Sequence, residues 1–152
     1  MKPGRIIILV SIPVIFALQG CEGRKPIEGV WSFVSSTYTT PDTTIARDQN
    51  DWKAIKTITK SYFSTVGHDP NRPLFGPVVS DSDIVTAYNT FSGNGGKYSV
   101  KGDVYTEYLA HFTNPNRVNT SADLKFQIAG DTLFLSNITG DVTWKEIWIR
   151  EE

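Results

Sequence analysis

The chain has 152 residues with 15 Lys and Arg against 16 Asp and Glu, a formal charge of −1. That balance leaves no basic surplus to bind nucleic acid through phosphates. A single cysteine excludes both a disulfide framework and a cysteine-based metal site, and an aromatic content of 12% is too high for a disordered chain.

The first predicted element is a leader. Met1-Lys2-Pro3-Gly4-Arg5 is basic, and Ile6 to Leu18 is apolar apart from Ser11 and Pro13. This run is shorter than the ~20 residues that span a bilayer, and with its basic start it reads as a secretion signal over residues 1–20. It ends Leu18-Gln19-Gly20-Cys21, which resembles the lipobox of bacterial lipoproteins. The resemblance implies cleavage before Cys21, a diacylglyceryl thioether on its sulfur, and acylation of the new amine. Two or three acyl chains anchor firmly where one does not. Glu22 in place of Asp implies sorting to the outer membrane of the cell envelope. The alternative is an uncleaved membrane anchor. Residues 21–27 then read as the lipidated cysteine and a tether, and residues 28–152 as one domain.

Within that domain the pattern is period-two and rich in turn residues, which means β-structure. Gly29–Tyr38 reads as a strand with Trp31, Phe33 and Ser35 on one face. Polar 41–50 reads as a short helix or lid. Trp52–Thr59 and Ser61–Gly67 read as two strands joined near Lys60. The stretch 68–77 is a loop. Ile84–Phe91 reads as a strand, Ser92–Gly96 as a turn, and Lys97–Val100 as a further strand. Lys101-Gly102-Asp103 turns into Val104–Phe112. After a loop at 114–120, Leu124, Phe126 and Ile128 alternate with Lys125 and Gln127, so one face is buried. Ala129-Gly130-Asp131 is a hairpin turn into Thr132–Ser136, and Trp144–Arg150 is the last strand. Many short strands in one domain indicate an all-β antiparallel up-and-down barrel of eight to ten strands, with an open sandwich as the alternative.

Gly29-Val30-Trp31 near the start and Arg150 at the end resemble the calycin signature of lipocalins and fatty-acid-binding proteins. The series Gly95-Gly96-Lys97-Tyr98, Gly102-Asp103-Val104-Tyr105-Thr106-Glu107, Ile128-Ala129-Gly130-Asp131-Thr132-Leu133 and Glu146-Ile147-Trp148-Ile149-Arg150 resembles the lipocalin-like domain of small secreted bacterial proteins. The resemblance implies a barrel with an interior cavity, the Trp31 indole at its closed end, and Arg150 packed over the ring. The Thr-Asp-Tyr motif of lipocalins and the Arg-x-Tyr motif of fatty-acid-binding proteins are both missing, so a fatty-acid ligand does not carry over.

The inward-facing candidates for a cavity are Trp31, Phe33, Tyr88, Tyr98, Tyr105, Glu107, Phe126, Glu146 and Trp148. Glu107 and Glu146 sit mid-strand. As a pair they could orient a ligand's polar group or serve as acid and base; the plainer expectation is an ion pair with Arg150 or hydrogen bonds to tyrosines. His68 and His111 are too few for a metal site, although period two puts His111 on the Glu107 face. Asp81-Ser82-Asp83 lacks the glycine and distal glutamate of a calcium loop and reads as a polar turn. No metal or cofactor is expected. The leading expectation is non-catalytic binding of a small, partly hydrophobic molecule inside a membrane-anchored barrel. The alternatives are a packed barrel that binds a protein through loops 68–77 and 113–121, and an enzyme using Glu107 and Glu146.

Overall fold

Alternating apolar and polar residues give the chain a series of one-sided strands, and a sheet with one apolar face is stabilised by rolling that face inward. In the computed structural model, which describes residues 26–139 and 141–151, nine antiparallel strands do this. They are β1 (Gly29–Thr39), β2 (Thr44–Asp48), β3 (Lys53–Ile58), β4 (Tyr62–His68), β5 (Phe91–Lys101), β6 (Val104–Phe112), β7 (Thr120–Ala129), β8 (Thr132–Thr139) and β9 (Val142–Arg150). Strands β3 to β9 pair in chain order. β1 pairs β3 through Gly29–Ser32 and β9 from Trp31 to Thr39, which closes an eight-stranded barrel. β2 is the additional strand, paired to the distal half of β1. The signal segment and Cys21 lie outside the described residues.

The core is drawn from every wall: Ile27, Trp31, Phe33, Ile58, Phe63, Tyr98, Tyr105, Leu109, Leu124, Leu133, Leu135 and Trp148. Ile27 is fully buried and belongs to the barrel, not to the expected tether.

Two bulges reset the faces. Between Phe33 and Ser35 the β1–β9 register shifts, so Val34 is an extra residue. Ser36 and Tyr38, not Ser35, then share the inner face with Trp31 and Phe33. Between Gly95 and Gly96 the β5–β6 register shifts against Leu109 and His111. Ala110 is extra there, so His111 points out to solvent, against the period-two expectation, and Phe112 points in. Gly96 makes this possible: a Cβ on it would lie 1.9 Å from the Tyr108 carbonyl oxygen. Gly95 and Gly96 therefore serve a close strand approach, and residues 92–96 lie within β5 rather than in the expected turn. Gly102 and Gly130 do occupy turns, with φ of +62° and +57°, a region that favours glycine.

Two other expectations are corrected. Residues 44–48 form β2 instead of a helix or lid. Ile84–Asn89 belongs not to a strand but to α1 (Asp81–Asn89). Ser80 caps this helix: its hydroxyl accepts the Asp83 N–H at 3.3 Å, and the Asp83 carboxylate accepts the Ser80 N–H at 2.8 Å. The Ser80 hydroxyl, donating to Asp83 Oδ2 at 2.6 Å, and then the Ser80 N–H hold the Asp83 carboxyl below its usual range, and Asp81 and Asp83 complement the helix dipole. The acidic stretch taken for a polar turn is thus a helix start.

Candidate functional site

One end of the barrel is filled by side chains and the other holds a cavity. At the closed end Trp31 donates from Nε1 to the Ile27 carbonyl at 2.9 Å. The Arg150 guanidinium lies 4.0 Å from the Trp31 ring centroid and donates to the carbonyls of Glu28 and Pro26 at 2.7 and 2.6 Å. A planar cation stacked on an indole while both its arms are hydrogen-bonded is a rigid plug. Tyr98 adds to it by donating to the Thr59 carbonyl at 2.7 Å.

Above this plug lies a cavity of about 780 Å³. Phe33, Tyr38, Trp52, Phe112, Trp144 and Trp148 give it aromatic walls. Phe33 and Trp148 meet edge to face at 5.5 Å. Trp52 reaches the wall because Gly67 has no side chain; a Cβ there would sit 2.5 Å from the Trp52 indole nitrogen. At the mouth, Arg47 lies 5.9 Å from Trp52 and Arg117 lies 5.4 Å from Phe112. The segment after β4 borders the same opening through Asp69, Asn71, Asn89 and Thr90.

At the base are three ionisable groups. β3 alternates Ala54, Lys56 and Ile58 inward, and the lysine, only 3% exposed, meets Glu107 of β6 at 2.6 Å. Its ammonium also lies 5.4 to 5.9 Å from the rings of Phe63, Trp148 and Tyr105. Burial of a charge is tolerable only with such pairing. Glu146 of β9 has less. Its Oε2 accepts from Trp148 Nε1 at 2.8 Å, and the nearby Lys56 ammonium is paired with Glu107. Removal from bulk water, only partly offset by the Lys56 charge and the indole N–H, pushes the Glu146 carboxyl up to about 7. It keeps some accessible surface because it faces the cavity. The Tyr105 hydroxyl is buried beside the Glu107 carboxylate with no well-aligned hydrogen-bond partner; burial and then the charge of Glu107 push its pKa upward, so it stays protonated. Thr65 Oγ1 and Asn94 Oδ1, on cross-strand partners in the cavity wall, are likewise buried without a protein partner. Such groups usually meet water or a ligand.

Of the nine cavity candidates, Phe33, Glu107, Glu146 and Trp148 line the space. Trp31, Tyr98 and Tyr105 are buried below it and fill the closed end, where eight strands leave room only for side chains. Phe126 packs against the core beside Leu135, away from the cavity. Tyr88 is 50% exposed on α1, where its hydroxyl donates to the Thr113 carbonyl; it lies outside the barrel because its segment is helical. Among the described residues Arg150 pairs with no carboxylate; it stacks on Trp31 and donates to the carbonyls of Glu28 and Pro26. The cation that does so, Lys56, was legible as a lysine between Ala54 and Ile58 on an apolar inner face. Trp144 was legible as the residue two before Glu146. Trp52, Arg47 and Arg117 carried no local signal.

The barrel is similar to lipocalin-like structures. A lipocalin-like protein from Bacteroides uniformis ATCC 8492 aligns at 17% identity over 81% of this chain and 96% of that one, with a TM-score of 0.43. An uncharacterized protein from Bacteroides eggerthii DSM 20697 aligns at 14% identity over 81% and 98%, with a TM-score of 0.46. No protein-family model and no curated protein matches the chain. Likenesses this distant say nothing of ligand or activity, and the barrel stands on its own strand pairing.

Proposed function

We propose that the protein is a non-catalytic binding protein that holds a small, partly hydrophobic molecule in the open end of its barrel, and that lipid on Cys21 anchors it to the outer membrane. The unfilled cavity of about 780 Å³ carries this reading. A space of that size, with aromatic walls and a few convergent polar groups, is the usual form of a small-molecule site. A catalytic role for the two glutamates has less support, because Glu107 is committed to Lys56. The five peptide links from Cys21 to Pro26 reach at most about 18 Å, and Pro26 sits at the closed end. An anchor at Cys21 therefore holds the plug toward the bilayer and turns the mouth away from it.

A neutral fluorescent probe tests the cavity. N-phenyl-1-naphthylamine should brighten on binding residues 22–152. Ala122→Trp, which puts an indole into the lining opposite Glu107, should abolish the response while the fold persists by far-ultraviolet circular dichroism. Equal brightening with both proteins would place the probe elsewhere and remove the support.

One observation favours a second reading, a protein-binding barrel. Beside the mouth, Leu74 is 95% and Val78 86% exposed, and Ile84 and Val85 of α1 are more than half exposed. A patch of this kind suits a protein partner.

A further inference from the structure

The charges around the cavity do not cancel. Its lining carries Arg47 and Arg117 at the mouth against Asp51, Asp69, Glu107 and Glu146, and Lys56 lies beneath. Three cations face four carboxylates. The rim carboxylates are engaged locally: Asp51 accepts the Asp48 N–H and Asp69 the Asn71 N–H. At the base the lysine is taken by Glu107 at 2.6 Å, and Glu146 is left with an indole donor alone. The excess negative charge therefore sits at the deepest polar point, at the bottom of an aromatic enclosure.

We propose that the cavity takes an organic cation, an aromatic or apolar molecule carrying a protonated amine that seats against Glu146. The inference rests on the binding reading above and adds the chemical class of the ligand. A carboxylate supplies a charge-assisted hydrogen bond, and the faces of Trp144, Trp148, Phe33 and Tyr38 supply the quadrupole attraction that aromatic sites offer to ammonium groups. An anionic ligand would meet Glu146 as a like charge. A neutral one would leave it to take up a proton, as burial already drives it to do. An amine also replaces the proton that Glu146 otherwise recruits, so its binding should strengthen as the carboxyl ionises. The groups facing Glu146 are Lys56 from β3, Glu107 from β6 and Trp148 on its own strand. Lys56 and Glu107 form a pair, which leaves Glu146 to titrate near pH 7.

Three near-isosteric probes test the idea by titration calorimetry on residues 22–152: 1-naphthylmethylamine, 1-naphthalenemethanol and 1-naphthoate. At pH 8 the amine should bind at least about tenfold more tightly than the alcohol, and the carboxylate should be the weakest. The preference for amine should fall by about tenfold at pH 6, where the carboxyl is mostly protonated. Glu146→Gln should erase it, bringing amine and alcohol to comparable affinity. If the alcohol binds and the amine gains nothing, or the gain survives Glu146→Gln, the cation inference is overturned and the cavity reading stands. If none of the three binds, both are overturned.

Discussion

Replacing Glu146 by glutamine removes a charge that the folded barrel holds at a cost. Its carboxyl rises from an ordinary 4.5 to about 7 in the folded protein. The folded state therefore holds that proton more tightly than the unfolded chain does. This contribution to stability is complete below pH 4.5 and is lost as pH rises through 7. Each tenfold change in proton affinity is worth about 1.4 kcal/mol, so the loss at pH 8 is about 3 kcal/mol. Glutamine keeps an oxygen to accept from Trp148 and carries no charge. At pH 8, Glu146→Gln should be more stable than the parent by about 2–3 kcal/mol, a rise in midpoint of about 10 °C for a domain of this size. At pH 4.5 the two proteins should nearly coincide. Thermal and urea unfolding followed by near-ultraviolet circular dichroism at both pH values reads the difference. Equal stability at pH 8, or a gain at pH 4.5 as large as that at pH 8, would refute the reasoning.

Lys56→Met should cost about 3–5 kcal/mol at pH 8 by urea unfolding, because it strands the Glu107 carboxylate in the barrel. Arg150→Ala should lower stability by about 2–3 kcal/mol through loss of the Trp31 stack and two carbonyl hydrogen bonds; Arg150→Lys should recover less than half, since an ammonium cannot stack and fork at once. Gly96→Ala should cost more than about 3 kcal/mol or abolish soluble expression, because its Cβ would overlap the Tyr108 carbonyl. Gly102→Asn, in an open turn at φ +62°, should change stability by less than about 1 kcal/mol.

The barrel was legible where one rule acted alone. β6 could be read by its bounds, Val104 to Phe112, and by its alternation as far as Leu109, and the Gly130 hairpin by turn chemistry. Reading failed where two rules competed. Gly93 to Gly96 look like a turn by composition, yet they are held in β5 by pairing on both sides, and the close approach at Gly96 is a tertiary fact. Each bulge adds one residue and inverts the faces beyond it, so alternation placed Ser35 and His111 on the wrong side. In α1 the alternation of Ile84, Thr86 and Tyr88 suggested a strand, while Ser80 and Asp83 at capping spacing marked a helix. The site was half legible. Phe33, Glu107, Glu146 and Trp148 followed from strand parity. The division of the barrel into a filled end and an open end did not, because it depends on how the walls taper.

Native mass spectrometry tests the central claim most directly, applied to residues 22–152 taken straight from the cells that made them and then to the same sample after denaturing extraction. Occupancy of the cavity predicts a discrete small mass on the folded protein that departs on denaturation and is missing from Ala122→Trp. A bare protein mass in the native spectrum, with no added naphthyl probe able to shift it, would contradict the claim.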